Sequence, residues 1–235
     1  TPAGTHDRDY KKTSIWSVNV DGTGLREIVP NRAFGWELLG HPEWSPDGQR
    51  LVVFGGSQKS PQIFTLSAEG GDPRPVTQRP GHNLDPSWSP DGRSILFVGC
   101  PPGLCTPLQY EVYRIGVDGS GETRLTHDLQ RDHDPYYSPD GTQIAWLRLA
   151  ANWSVFAMSA DGSNQHGVVS GGHINSKPAW DVDGSWLYFH RTSLGRTGFS
   201  LFKVRPDGTE LTELMPRPVI GLGPYDDEYP VHGLT

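Results

Sequence analysis

The chain has 235 residues and a formal charge of -7, from 27 acidic against 20 basic side chains, which argues against a phosphate-backbone binder with its usual basic face. Gly 29 and Pro 21, with no long runs of Ala, Glu, Leu and Lys at helical spacing, exclude a helical bundle and suit short strands joined by tight turns. No segment approaches the ~18 consecutive apolar residues of a membrane span and Thr1 does not begin a signal peptide, so the chain is expected to be soluble, as a mature form or an excised piece.

Taken in chain order, Arg8, Asp9, Tyr10, Lys11 and Lys12 form a polar stretch expected to be a solvated loop. Ser14 to Pro30 follows as a pair of short strands around Val20-Asp21-Gly22. Then Pro42-Glu43-Trp44-Ser45-Pro46-Asp47-Gly48 opens a unit that recurs from Pro86, Pro135 and Pro178, at spacings of 44, 49 and 43 residues; the last copy reads Pro-Ala-Trp-Asp-Val-Asp-Gly. A second series interleaves with it at Gly22, Gly70, Gly119, Gly162 and Gly208, all but Gly70 preceded by Asp.

In Ser-Pro-Asp-Gly, proline presets φ for the turn, aspartate accepts from nearby amides, and glycine takes the positive φ that ends it. This turn joins an outgoing strand, Pro86 to Ser89, to a returning one, Ser94 to Val98. The later Asp-Gly turns join Glu111 to Val117 with Glu122 to Leu125 and their counterparts. Two hairpins give four strands every ~45 residues, the signature of a propeller blade. Trp44, Trp88, Tyr137 and Trp180 share one repeat position and are expected to pack blade against blade.

These residues resemble the TolB-like propeller repeats, also called the PD40 or WD40-like Asp-Gly family, whose hallmark is Pro-x-Trp-Ser-Pro-Asp-Gly before an apolar strand. The resemblance covers nearly the whole chain. It implies an all-β fold, and it leaves function open, because the family includes periplasmic accessory proteins, propeller domains of peptidases, and enzymes such as oligogalacturonate lyase.

The expected architecture is one β-propeller domain over residues 1–235, most simply five-bladed. Complete blades are expected at about 41–77, 85–126, 134–170 and 177–215. The fifth is shared between the termini, with residues 1–30 giving outer strands and 226–235, containing Glu228-Tyr229-Pro230-Val231, giving the inner one. The second strand of that blade is not evident, so either the blade is irregular or residues or whole blades are missing.

The innermost strand of each blade begins beside the central channel, so residues just before the repeated proline converge. These are His41, Asp85, Asp134 and Lys177, with Tyr229 in the shared blade; slightly upstream lie His82, His133 and His173, and Asp226 to Glu228. One reading is a divalent metal in the channel held by His82, His133, His173 and Asp226. The other is that aspartate caps strand and turn while the histidines hydrogen-bond loop carbonyls. A third makes Asp85 and Asp134 a glycosidase pair. Cys100 and Cys105 flank a Pro-Pro-Gly-Leu turn and are open to disulfide formation or to remaining thiols. The insertion from Gly99 to Gln109 lengthens one loop at a rim.

No Gly-x-Ser-x-Gly elbow, His-Glu-x-x-His or Walker loop is present. The first expectation is therefore a non-catalytic binding or scaffold propeller of the bacterial cell envelope, periplasmic or secreted, holding a protein, glycan or ion at the channel mouth or rim. Two alternatives stay open: a metal-dependent lyase or hydrolase acting on acidic polysaccharide, and a propeller excised from a larger peptidase or sensor.

Overall fold

The computed structural model describes residues 10–103, 109–128, 130–149, 151–171, 173–193 and 199–215. They are all-β apart from one 3-10 turn, Ala33–Gly35. An N-terminal sheet pairs β1 (Ile15–Ser17) with β2 (Arg26–Val29). Four antiparallel four-stranded blades follow in chain order. Blade 1 is β3 (Leu38–Trp44), β4 (Arg50–Ser57), β5 (Ser60–Ser67) and β6 (Arg74–Pro75). Blade 2 is β7 (Asn83–Trp88), β8 (Ser94–Gly99), β9 (Glu111–Gly116) and β10 (Thr123–Arg124). Blade 3 is β11 (Arg131–Tyr137), β12 (Gln143–Leu149), β13 (Trp153–Ser159) and β14 (His166–Val169). Blade 4 is β15 (His173–Trp180), β16 (Leu187–Ser193), β17 (Ser200–Val204) and β18 (Thr212–Glu213).

The turns form as their residues dictate. Asp47 Oδ1 accepts from Ser45 Oγ at 2.6 Å and from the Gln49 amide at 3.0 Å, while Gly48 N donates to Ser45 O at 2.8 Å. In the divergent fourth copy Asp181 replaces the serine, and its carboxylate accepts the Trp186 amide at 3.0 Å where the Ser45 hydroxyl accepts that of Arg50 at 2.9 Å. These hydrogen bonds hold Asp47, Asp91, Asp140 and Asp183 below the usual carboxylate range. Successive turns also stack: a Cβ on Gly92 would meet Pro46 Cδ at 3.8 Å, and Gly141 and Gly184 stand the same way to Pro90 and Pro139.

The core is divided among the seams between sheets. Strand side chains alternate between two faces; the second strands of blades 1 to 3 are buried on both, while β16 buries Leu187 and Phe189 and leaves Tyr188 and His190 half-buried. Leu51 and Val53 pack back on Ile15, Ile28 and Val29, whereas Val52 and Phe54 pack forward on Trp88, Ile95 and Phe97. Leu96 and Val98 meet Ile144 and Trp146, and Ala145 and Leu147 meet Leu187 and Phe189. Each of β7, β11 and β15 touches three strands of the preceding blade.

The repeated aromatic joins the seams through its indole. Trp88 Nε1 donates to Glu43 O at 3.3 Å and Trp180 Nε1 to Tyr136 O at 3.1 Å, each reaching the preceding blade. Trp88 is 6% exposed, but Trp44, facing the N-terminal side, is 47% exposed. The N-terminal sheet has only outer strands among the described residues; the 226–235 segment lies outside them. Cys100 is disulfide-bonded, and the sequence's other cysteine, Cys105, also lies outside the described residues.

Candidate functional site at the channel mouth

A proline inside a strand has no N–H to give the ladder, so pairing must break there. In all four blades it breaks as a bulge, between Gly40 and Glu43, Leu84 and Ser87, His133 and Tyr136, and Ser176 and Ala179. The residue before each proline turns into the left-handed region: φ is 50° at His41, 49° at Asp85, 47° at Asp134 and 54° at Lys177. Such a conformation costs a non-glycine residue roughly 1–3 kcal/mol and persists only where its surroundings impose it.

These side chains meet across four blades. Asp85 Oδ2 accepts from His133 Nδ1 at 2.6 Å, and Asp85 Oδ1 lies 3.4 Å from His41 Nδ1. Lys177 Nζ lies 3.4 Å from Asp134 Oδ2, and Asp134 is wholly buried. Tyr10 OH is 3.3 Å from His41 Nε2. Burial works to raise the Asp85 carboxyl, but His41, His133 and Lys177 outweigh it and hold it well below the usual carboxylate range.

The histidines are positioned separately. Arg131 Nε donates to His133 Nε2 at 3.1 Å, so the other ring nitrogen, Nδ1, carries the proton given to Asp85. His82 Nδ1 pairs with Tyr110 OH at 2.8 Å, and burial lowers the His82 pKa. His173 Nδ1, at the start of β15, is buried without a hydrogen-bond partner. Among the described residues, His82, His133 and His173 form no common ligand group; Tyr229 and Asp226 lie outside them.

His41, Asp85 and Asp134 do bring donor atoms within 4.8 Å of one another. A cation there would compete with the Lys177 ammonium and with the His133 N–H, and both nitrogens of His133 are engaged. The residues present therefore suit an internally neutralised network better than a metal. Glycoside hydrolysis by Asp85 and Asp134 would need one carboxyl protonated and the other ionised; Asp85 is the one held ionised.

Several participants escaped the sequence. Tyr10, placed in the polar N-terminal stretch, is partly buried with its ring 5.0 Å from that of Phe54. Arg131 and Tyr110 carried no repeat signal. A second network ties blade 2 to blade 3: Arg148 donates to Asp132 at 2.8 and 3.1 Å and also contacts Asp128, while Arg124 lies 3.1 Å from Glu111. Two guanidiniums among these three carboxylates make it an ion-pair brace.

The class of protein is thus a β-propeller whose four described blades meet in a polar network at the residues before the repeated prolines. The TolB beta propeller domain family, PD40, matches residues 8–215, and the chain belongs to that family. An uncharacterized protein of Agrobacterium fabrum is 27% identical over 195 residues, covering 78% of this chain and 63% of its own length. The uncharacterized peptidase YuxL of Bacillus subtilis is 30% identical over 194 residues, 69% of this chain and 28% of that protein. The crystal structure of TolB from Acinetobacter baumannii superposes with a TM-score of 0.72 at 19% identity, over 88% of this chain and 50% of the other. The chain spans less than two thirds of the length of these two curated relatives.

Proposed function

We propose that this chain is a non-catalytic binding module of the cell envelope, periplasmic or secreted, that holds a protein or glycan ligand at the channel mouth. One observation carries the reading: Asp85 is buried and shared between His41 and His133 from the two flanking blades. Its partners keep it ionised, so it braces a fixed surface and has no proton to donate. Likeness to TolB supports an envelope location, and no helix among the described residues is long and apolar enough to cross a membrane.

A metal-dependent activity on acidic polysaccharide is the second reading, favoured by the proximity of His41, Asp85 and Asp134. A third, a propeller within a larger peptidase or sensor, is favoured by the partial coverage of the relatives. Capture of envelope components by the wild type and by Asp85→Asn, with elemental analysis of untagged protein, separates the first two, and the length of the native gene product tests the third. A ligand retained by the wild type and lost in the variant, without stoichiometric metal, supports the binding module. Near-stoichiometric metal that disappears with Asp85→Asn would replace it with the second reading.

A further inference from the structure

Arg131 opens β11 at the seam between blades 2 and 3, where its backbone forms a parallel bridge with Tyr110. Its Nε is held by His133 Nε2 and its guanidinium lies 5.7 Å from the Trp153 ring centroid. The two terminal nitrogens make no hydrogen bond or ion pair with the described protein, and the residue is only partly buried. Other arginines withdrawn from solvent are occupied: Arg79 has Glu122, Arg124 has Glu111 and the buried Arg148 has Asp132 and Asp128, while Arg114 gives Nη1 to the Ala160 carbonyl and Arg191 gives Nε to Asn175 Oδ1. The carboxylates nearest Arg131 through His133 are already taken, Asp85 by two imidazoles and Asp134 by Lys177.

His82 occupies the same repeat position one blade earlier, four residues before the proline. It connects to Arg131 through Tyr110, whose hydroxyl pairs with His82 Nδ1 and whose ring meets His133 edge-on at 5.5 Å. Burial pushes the Tyr110 hydroxyl up to about 12, so it stays protonated, and it serves His82 Nδ1 as donor or acceptor according to the imidazole tautomer. In the tautomer in which the tyrosine donates to Nδ1, His82 Nε2 carries the ring proton and is a second donor with no acceptor among the described residues.

We propose that Arg131 and His82 form an oxyanion-binding site at the channel mouth, taking a carboxylate or phosphate group of the ligand. The two free terminal nitrogens present one end-on edge that matches such a group bidentately, and the neighbouring buried carboxylates are already engaged, Asp85 by His133 and His41 and Asp134 by Lys177. The inference rests on the channel mouth being where ligand binds.

The test is an NMR titration of the full chain with sodium acetate and, separately, sodium phosphate, at ionic strength held constant with chloride. The His82 ring and Arg131 guanidinium signals should shift saturably, with exposed His166 unmoved. Arg131→Gln should weaken the effect at least tenfold, and His82→Gln should weaken it less; Arg131→Lys, which keeps charge but loses the fork, should fall between the wild type and Arg131→Gln. Tighter phosphate binding points to a phosphorylated ligand, equal or tighter acetate binding to a carboxylate. Shifts that do not saturate, or that persist in both Gln variants, overturn the site. If capture by the channel survives that result, the binding module stands without it; saturable anion binding in a protein that captures nothing would reject the module and keep the site.

Discussion

His133 Nδ1 stands 2.6 Å from Asp85 Oδ2 across the seam between β7 and β11, and both groups are nearly excluded from solvent. Asp85→Ala leaves two imidazoles without their shared anion. Breaking a buried pair costs about 3–5 kcal/mol, and chemical denaturation should read a loss of that order, with Asp85→Asn costing less.

The same pair has an acid signature. The folded-state Asp85 carboxyl is held below its unfolded value of about 4. Its contribution to stability is therefore complete above that value and is lost as pH falls toward the lower folded one. Unfolding free energies measured between pH 6 and pH 2 should fall less steeply in Asp85→Asn than in the wild type.

Glu43 has the opposite sign. Burial raises its carboxyl to about 7 despite the Trp88 amide 3.3 Å from Oε2. Stability is full below the unfolded value of about 4.3 and declines as pH rises through 7, by roughly 3 kcal/mol in all. Glu43→Gln should be the more stable protein at pH 8 and lose that advantage at pH 4; equal gains at both pH values would contradict the assignment.

The seam tryptophans differ by position. Trp88→Ala removes a buried indole and its bond to Glu43 O, and should cost about 3–5 kcal/mol. Trp44→Ala, about half exposed, should cost clearly less. Scanning calorimetry of the two variants makes the comparison.

Gly70 has a φ of 80°, and a Cβ there would stand 2.0 Å from Ile28 O in the N-terminal sheet. Gly92, at φ 69°, meets nothing nearer than 3.8 Å. Gly92→Ala should lose only the left-handed penalty, about 1–2 kcal/mol. Gly70→Ala should lose more and increase amide exchange in β2, because the N-terminal sheet must shift.

The blades were legible because turn chemistry is local: Ser45, Asp47 and Gly48 act within five residues, and copies reveal themselves. The convergence of His41, Asp85, Asp134 and Lys177 was legible as a register. The pairing within it was not, because His133 and Asp85 are 48 residues apart and meet only through the blade-to-blade rotation. Tyr10, Arg131 and the Arg148–Asp132 brace lie off the repeated motif, where a single copy carries no periodic signal. The left-handed backbone before each proline was hidden too, since the residue preceding proline ordinarily favours extended conformations.

The stacking of Gly92, Gly141 and Gly184 on the preceding blade's proline has a bearing on how such a chain can change length. The second and third units bring both the glycine and the proline of this contact, whereas the fourth has Val182 in place of the proline, so duplication of a whole second or third unit supplies both halves of a new junction. A partial unit supplies only one. The contact thus favours growth or loss in integral steps, while the residues before the repeated prolines differ from copy to copy as His41, Asp85, Asp134 and Lys177.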